Sequence, residues 1–121
     1  MQKNSKDVLS DEILQEKAAV LGRAGESVYD ALSQLMNIEA GIEEKCETLR
    51  RMSECSAGDK KIRAAIDEIN NEIKAFNDLR DYAQIRYYYL IITREALGMR
   101  RHVWVEQFYR IPHKKRILSG I

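Results

Sequence analysis

The chain has one proline, Pro112, and two cysteines, Cys46 and Cys55, among 121 residues. A single proline leaves nearly the whole length free to be helical. The two cysteines would sit about 13 Å apart on one helix, too far for a disulfide within it. They are expected to be the reduced thiols of a cytoplasmic protein. Histidine is also scarce. His102 and His113 flank Pro112 with no cysteine or carboxylate cluster beside them, so they form no zinc pattern. No apolar run approaches the roughly 18 residues of a membrane span. The opening residues carry no apolar core of a secretory signal. Catalysis needs a nucleophile beside a base or carboxylates with split pKa values, and neither pattern occurs. Glu43, Glu44 and Glu47 read as one solvated face, and no glycine loop suits a phosphate. The expectation is a non-enzyme without cofactor or metal.

What is present is a heptad. Leu14, Leu21, Val28, Leu35, Ile42 and Leu49 fall seven apart, and Lys17, Ala24, Ala31, Ile38, Lys45 and Met52 interleave with them. Only Lys17 and Lys45 break the apolar stripe. A helix with so long a stripe requires a partner helix along its length. The spacing predicts a helix over about 11–54, N-capped by Ser10, after a disordered tail at 1–9. Gly22, Gly25 and Gly41 weaken it, yet the heptad phase survives all three. At residues 55–59, Gly58 is expected to take the left-handed conformation and Asp59 to cap a second helix over about 60–98. Ile62, Ile66, Ile69, Ile73, Phe76, Leu79 and Ala83 give that helix its own stripe. Gly98 is expected to kink or end it. Short helices are expected over about 102–109 and 112–118. The fold class is therefore all-α: a long, coiled-coil-like antiparallel hairpin with a short C-terminal helical cap, in one domain over 10–121.

In that hairpin, Ala18, Gly22 and Gly25 form a close-packing strip facing the bulky segment Tyr87–Ile92. The same segment is apolar around its circumference, so one partner helix cannot cover it. Leu21, Val28, Leu35, Ile42, Tyr87, Tyr88 and Ile91 are the candidate oligomer interface, for a homodimer or a tetramer. Glu16, Arg94 and Glu95 are a candidate polar network, read first as a register-fixing set of ion pairs and second as a pocket for a polar ligand.

The charge is uneven. Residues 1–57 hold seven Lys/Arg against eleven Asp/Glu, giving −4, and residues 58–121 hold thirteen against eight, giving +5. Arg100, Arg101, Arg110, Lys114, Lys115 and Arg116 form a candidate anion or nucleic-acid patch around Trp104 and Tyr109. The overall pI of about 7.8 is low for a dedicated nucleic-acid binder.

Two stretches, Glu12-Ile-Leu-Gln-Glu-Lys-Ala-Ala-Val-Leu-Gly-Arg-Ala-Gly25 and Thr93-Arg-Glu-Ala-Leu-Gly98, the latter followed by His102, Tyr109 and Ile111-Pro112, are similar to a family of small bacterial helical proteins of unknown function. The resemblance implies a bacterial cytoplasmic protein and supplies no activity, ligand or catalytic residue. The expected function is that of a self-associating interaction protein, acting as adaptor, assembly factor or chaperone-like partner of an unknown protein client. Nucleic-acid binding through the basic segment is the alternative.

Overall fold

The computed structural model describes residues 4–119. Among them are three α-helices and no strand: α1 (Ser5–Glu54), α2 (Asp59–Ala96) and α3 (Val103–Phe108). The two long helices pack against each other as an all-α hairpin.

Local chemistry sets the ends. The first helix begins upstream of the expected Ser10, because the Asn4 side chain accepts the Asp7 backbone N–H at 2.9 Å and nothing in residues 5–9 breaks a helix. Of the expected disordered tail, residues 5–9 are thus helical, and residues 1–3 lie outside the described part. The turn after α1 also differs from expectation. Ser56, not Gly58, takes the left-handed conformation, with φ of 56°. The Ala57 N–H reaches Met52 O and the Ser56 N–H reaches Ser53 O, closing the last turn. Gly58 instead offers its carbonyl to the N–H groups of Lys61 and Ile62. It caps α2, and Asp59 is the first helical residue. Gly98, with φ of +90°, ends α2 in the same kind of motif: Met99 N–H to Arg94 O and Gly98 N–H to Glu95 O.

The chain divides into two compact units. The second unit, Ala31–Ala83 with the tail from Ile111, holds a continuous core. Ala31, Leu35 and Ile42 from α1 interlock with Ile69, Ile73, Phe76 and Ala83 from α2. Lys45, one of the two breaks in the heptad, stands at the edge of this core and reaches Glu68 at 3.1 Å and Glu72 at 3.3 Å. The hydrogen bond to Glu68 leads in raising its pKa, against some desolvation, with Glu72 adding to it.

The tail of this unit is not a helix. Residues 110–119 have no regular secondary structure, which corrects the expected helix over 112–118. Two asparagines on α2 explain why. Asn77 donates to Lys115 O at 2.9 Å and accepts from Lys115 N–H at 2.8 Å. Asn70 does the same for Leu118, at 2.9 and 2.7 Å. Seven helical residues rise about 10.5 Å, and three extended residues span about 10 Å. The two repeats match, so the side-chain amides satisfy the backbone groups that a helix would have satisfied internally. Arg80 Nε adds a bond to Pro112 O at 2.9 Å, while Ile111 and Leu118 pack on the core.

The first unit comprises the chain up to Asp30 with Gln84–Arg110. Its buried apolar side chains are Ala24, Val28, Leu90 and Val105. Val105 is the inward residue of α3, between exposed Val103, Trp104 and Phe108.

Candidate functional site

Two features of the first unit offer surface to a partner or a ligand. The first is the outer face of α2. Ile85, Tyr88, Tyr89 and Ile92 recur at helical spacing and are exposed by 63, 58, 54 and 63%. The two tyrosines have contacts with their neighbours on the helix. Tyr87 meets Tyr88 at 6.2 Å between ring centres. Arg86 lies over the Tyr89 ring at 4.8 Å and donates to Ser27 Oγ at 2.7 Å. Burial pushes the Tyr87 phenol above its ordinary pKa, with Glu106 and then Tyr88 adding to the shift.

The second is an open groove of about 370 Å³ lined by Leu21, Gly22, Gly25, Leu90, Arg94 and Tyr109, among others. Arg94 is its one buried cation, 7% exposed. Its Nε donates to His102 Nδ1 at 3.2 Å, another nitrogen donates to Arg101 O at 2.9 Å, and the Trp104 ring lies 5.2 Å away. His102 Nε2 stands 3.2 Å from Glu95 Oε1. With Nδ1 accepting, the imidazole carries its proton on Nε2 and donates to Glu95. A carboxylate thus stabilises the guanidinium through the ring between them.

The expected polar network is therefore rearranged. Arg94 and Glu95 are joined, but through His102, whereas Glu16 is exposed and makes no bond to either among the described residues. The missed member, His102, had a signal: it follows Arg94 by eight residues, across the helix-ending Gly98.

The close-packing strip is also different. Gly25 is buried, and a Cβ built on it would stand 2.9 Å from Tyr109 Oη. Gly22 is exposed with nothing within 4 Å of such a Cβ, and Ala18 is exposed. Only one of the three has a packing requirement, and Tyr109, not the Tyr87–Ile92 segment, imposes it.

Of the expected oligomer interface, Val28, Leu35 and Ile42 are buried within a single chain. These three heptad positions are covered within the chain itself and offer nothing to a second copy, whereas Leu14 at the start of the heptad stays exposed. Leu21, Tyr87 and Ile91 are half-buried, and Tyr88 is exposed. Ile85, Tyr89 and Ile92 carry the larger exposed face, which the seven-residue heptad of α1 did not indicate.

The residues of the expected basic patch fall in both units. Lys114 lies 3.3 Å from Asp81 and Lys115 2.9 Å from Glu39, with Lys115 also 4.8 Å from the Phe76 ring centre. Both lysines belong to the second unit and secure the tail there. Arg100, Arg101 and Arg110 belong to the first unit and are exposed, as is Arg116 of the tail. Partial burial works against the charge on Asp81, yet hydrogen bonds from Lys114 and Arg80, with their charges, hold its carboxyl below the ordinary value.

No family model, no curated protein and no solved structure matches the chain. No helix among the described residues is long and apolar enough to cross a membrane.

Proposed function

We propose that the protein is a non-enzymatic helical interaction protein of the bacterial cytoplasm, an adaptor, assembly or chaperone-like factor that self-associates as a homodimer and engages a protein client. One observation carries this reading. Of the seventeen large apolar side chains exposed among the described residues, fourteen lie in the first unit. Scattered apolar side chains on a surface are ordinary, but concentration in one part of a molecule marks a surface that another molecule covers. Residues 5–10 and 12–20 of α1 are exposed throughout, with Val8, Leu9, Ile13, Leu14 and Val20 among them. Nucleic-acid binding is the weaker reading, since the carboxylates of Asp81 and Glu39 already neutralise Lys114 and Lys115.

Size-exclusion chromatography with light scattering, at low and high salt, tests the proposal. A dimer that persists in high salt is expected, because apolar contact is not screened. A monomer at every concentration and salt would overturn self-association.

A further inference from the structure

One buried cation of the first unit has no anion against it. Arg94 is 7% exposed. Its Nε donates to His102 Nδ1 and its Nη2 to Arg101 O, and both acceptors are neutral. Glu95 acts at one remove, through the imidazole. Of the five N–H groups of a guanidinium, three here have no acceptor among the described residues, both on Nη1 and one on Nη2. Nη1 is reached by solvent, since among the described residues no buried side-chain nitrogen or oxygen lacks a hydrogen bond. A guanidinium largely shielded from water attracts a carboxylate more strongly than one on an open surface. Its paired N–H groups also match the two oxygens of a single carboxylate.

Arg94 lines the groove of about 370 Å³, which is at the small end of the range for small-molecule sites, about 300–1,000 Å³. Leu21, Leu90, Trp104 and Tyr109 stand around it, so its walls are mainly apolar and aromatic, with the exposed Glu26 as the other charged group. Gly22 is an independent sign. It lies in the interior of α1, where glycine weakens a helix. Nothing stands within 4 Å of a Cβ built on it, so no packing contact requires glycine there. It lines the same groove, where a larger side chain would take up the space.

We infer that this groove is a binding site for a small monocarboxylate with an aromatic or aliphatic body. The carboxylate pairs with Nη1 and Nη2 of Arg94, and the body lies over Gly22 beside Leu21, Leu90 and Trp104. Glu26 on the same groove repels a second negative charge, which sets this ligand class apart from phosphates and dicarboxylates. Such a site does not depend on the self-association proposed above.

Trp104 is the only tryptophan of the chain, so its fluorescence reports on this groove. The full chain is titrated with phenylpropionate, with its neutral isostere phenylpropanamide and with inorganic phosphate, and calorimetry accompanies the emission. Phenylpropionate is expected to bind saturably with a Kd of about 1 mM or below. The amide is expected to bind about tenfold more weakly, because the charge-assisted bonds are gone, and phosphate more weakly still. Gly22→Leu is expected to weaken phenylpropionate binding about tenfold with far-UV circular dichroism unchanged, since the side chain enters open space. Arg94→Lys is expected to do the same, because an ammonium cannot offer the paired N–H groups. No saturable binding of phenylpropionate by either readout overturns the site. Equal affinity for acid and amide overturns the pairing with Arg94, and phosphate binding tighter than phenylpropionate overturns the ligand class. Binding that Gly22→Leu leaves intact overturns the groove as its place. Should Arg94→Lys unfold the chain, Gly22→Leu and the amide carry the test, since neither alters the guanidinium.

Discussion

The two units use the same pair of helices for opposite ends. In the second, α1 and α2 bury Leu35, Ile42, Ile69, Ile73 and Phe76 between them, and a clamped tail covers more of the same core. In the first, the buried set is small, and Ile85, Tyr88, Tyr89, Ile92, Trp104 and Phe108 face outward. The difference teaches that helix-forming sequence and apolar content do not decide where a helical hairpin is closed. What decides is whether this chain supplies something to lie on each face. For α2 in the second unit, the tail does so.

The largest effect that would break this contrast is on the cores. Phe76→Ala, at a side chain 1% exposed, is expected to cost about 3–5 kcal/mol in urea denaturation. Phe108→Ala, at 63% exposed and with edge contacts to Trp104 and Tyr109, is expected to cost about 1 kcal/mol or less. Equal losses would mean that the first unit is as closed as the second. Next comes the tail. Asn70→Ala with Asn77→Ala leaves the backbone groups of Lys115 and Leu118 without their partners, at about 1–3 kcal/mol for each position. Trypsin is expected to cut the double variant at Lys114, Lys115 and Arg116 well before the parent. Equal cutting rates would show that the amides do not hold the tail.

Within the first unit, Gly25→Ala forces a Cβ against Tyr109 Oη, and about 1–3 kcal/mol of destabilisation is expected. Tyr109→Phe removes that oxygen and leaves the next ring atom 3.8 Å away, so the double variant is expected to recover most of the loss. Gly22→Ala, in open space, is expected to stabilise by about 0.5–1 kcal/mol through helix propensity. A loss there would return Gly22 to the packing strip.

The smallest effect is a pH dependence. The folded state lowers the pKa of Asp81. Its contribution to stability is thus present above the unfolded value of about 4 and is lost as pH falls through the lower folded value. Between pH 5 and 3 the melting temperature of Asp81→Asn is expected to fall less than that of the parent. Parallel curves would mean that the ion pair with Lys114 adds nothing to tail docking.

Much of the hairpin was legible because its signals are local. The heptad through Leu35 and Ile42 and the stripe from Ile62 to Ala83 each report which face of a helix is apolar, and the break near residues 55–59 separates them. The end of α2 was legible for the same reason, since Gly98 can adopt a conformation that other residues avoid. The capping roles of Ser56 and Gly58 were not, because several residues of that turn can take either part. Nor was the tail. Helix propensity for His113–Leu118 is a property of that segment alone, whereas the amides of Asn70 and Asn77 that override it lie 48 and 38 residues before the residues they hold.

The sequence by itself determined that this protein is all-helical and that its two long helices pair, because periodicity and end signals are properties of neighbouring residues. Only the tertiary structure decided which apolar residues stay outside. Val28, Leu35 and Ile42 look as suited to an interface as Ile85, Tyr89 and Ile92 until the chain folds. Burial depends on what the rest of the chain brings to each face, and that is fixed by long-range packing.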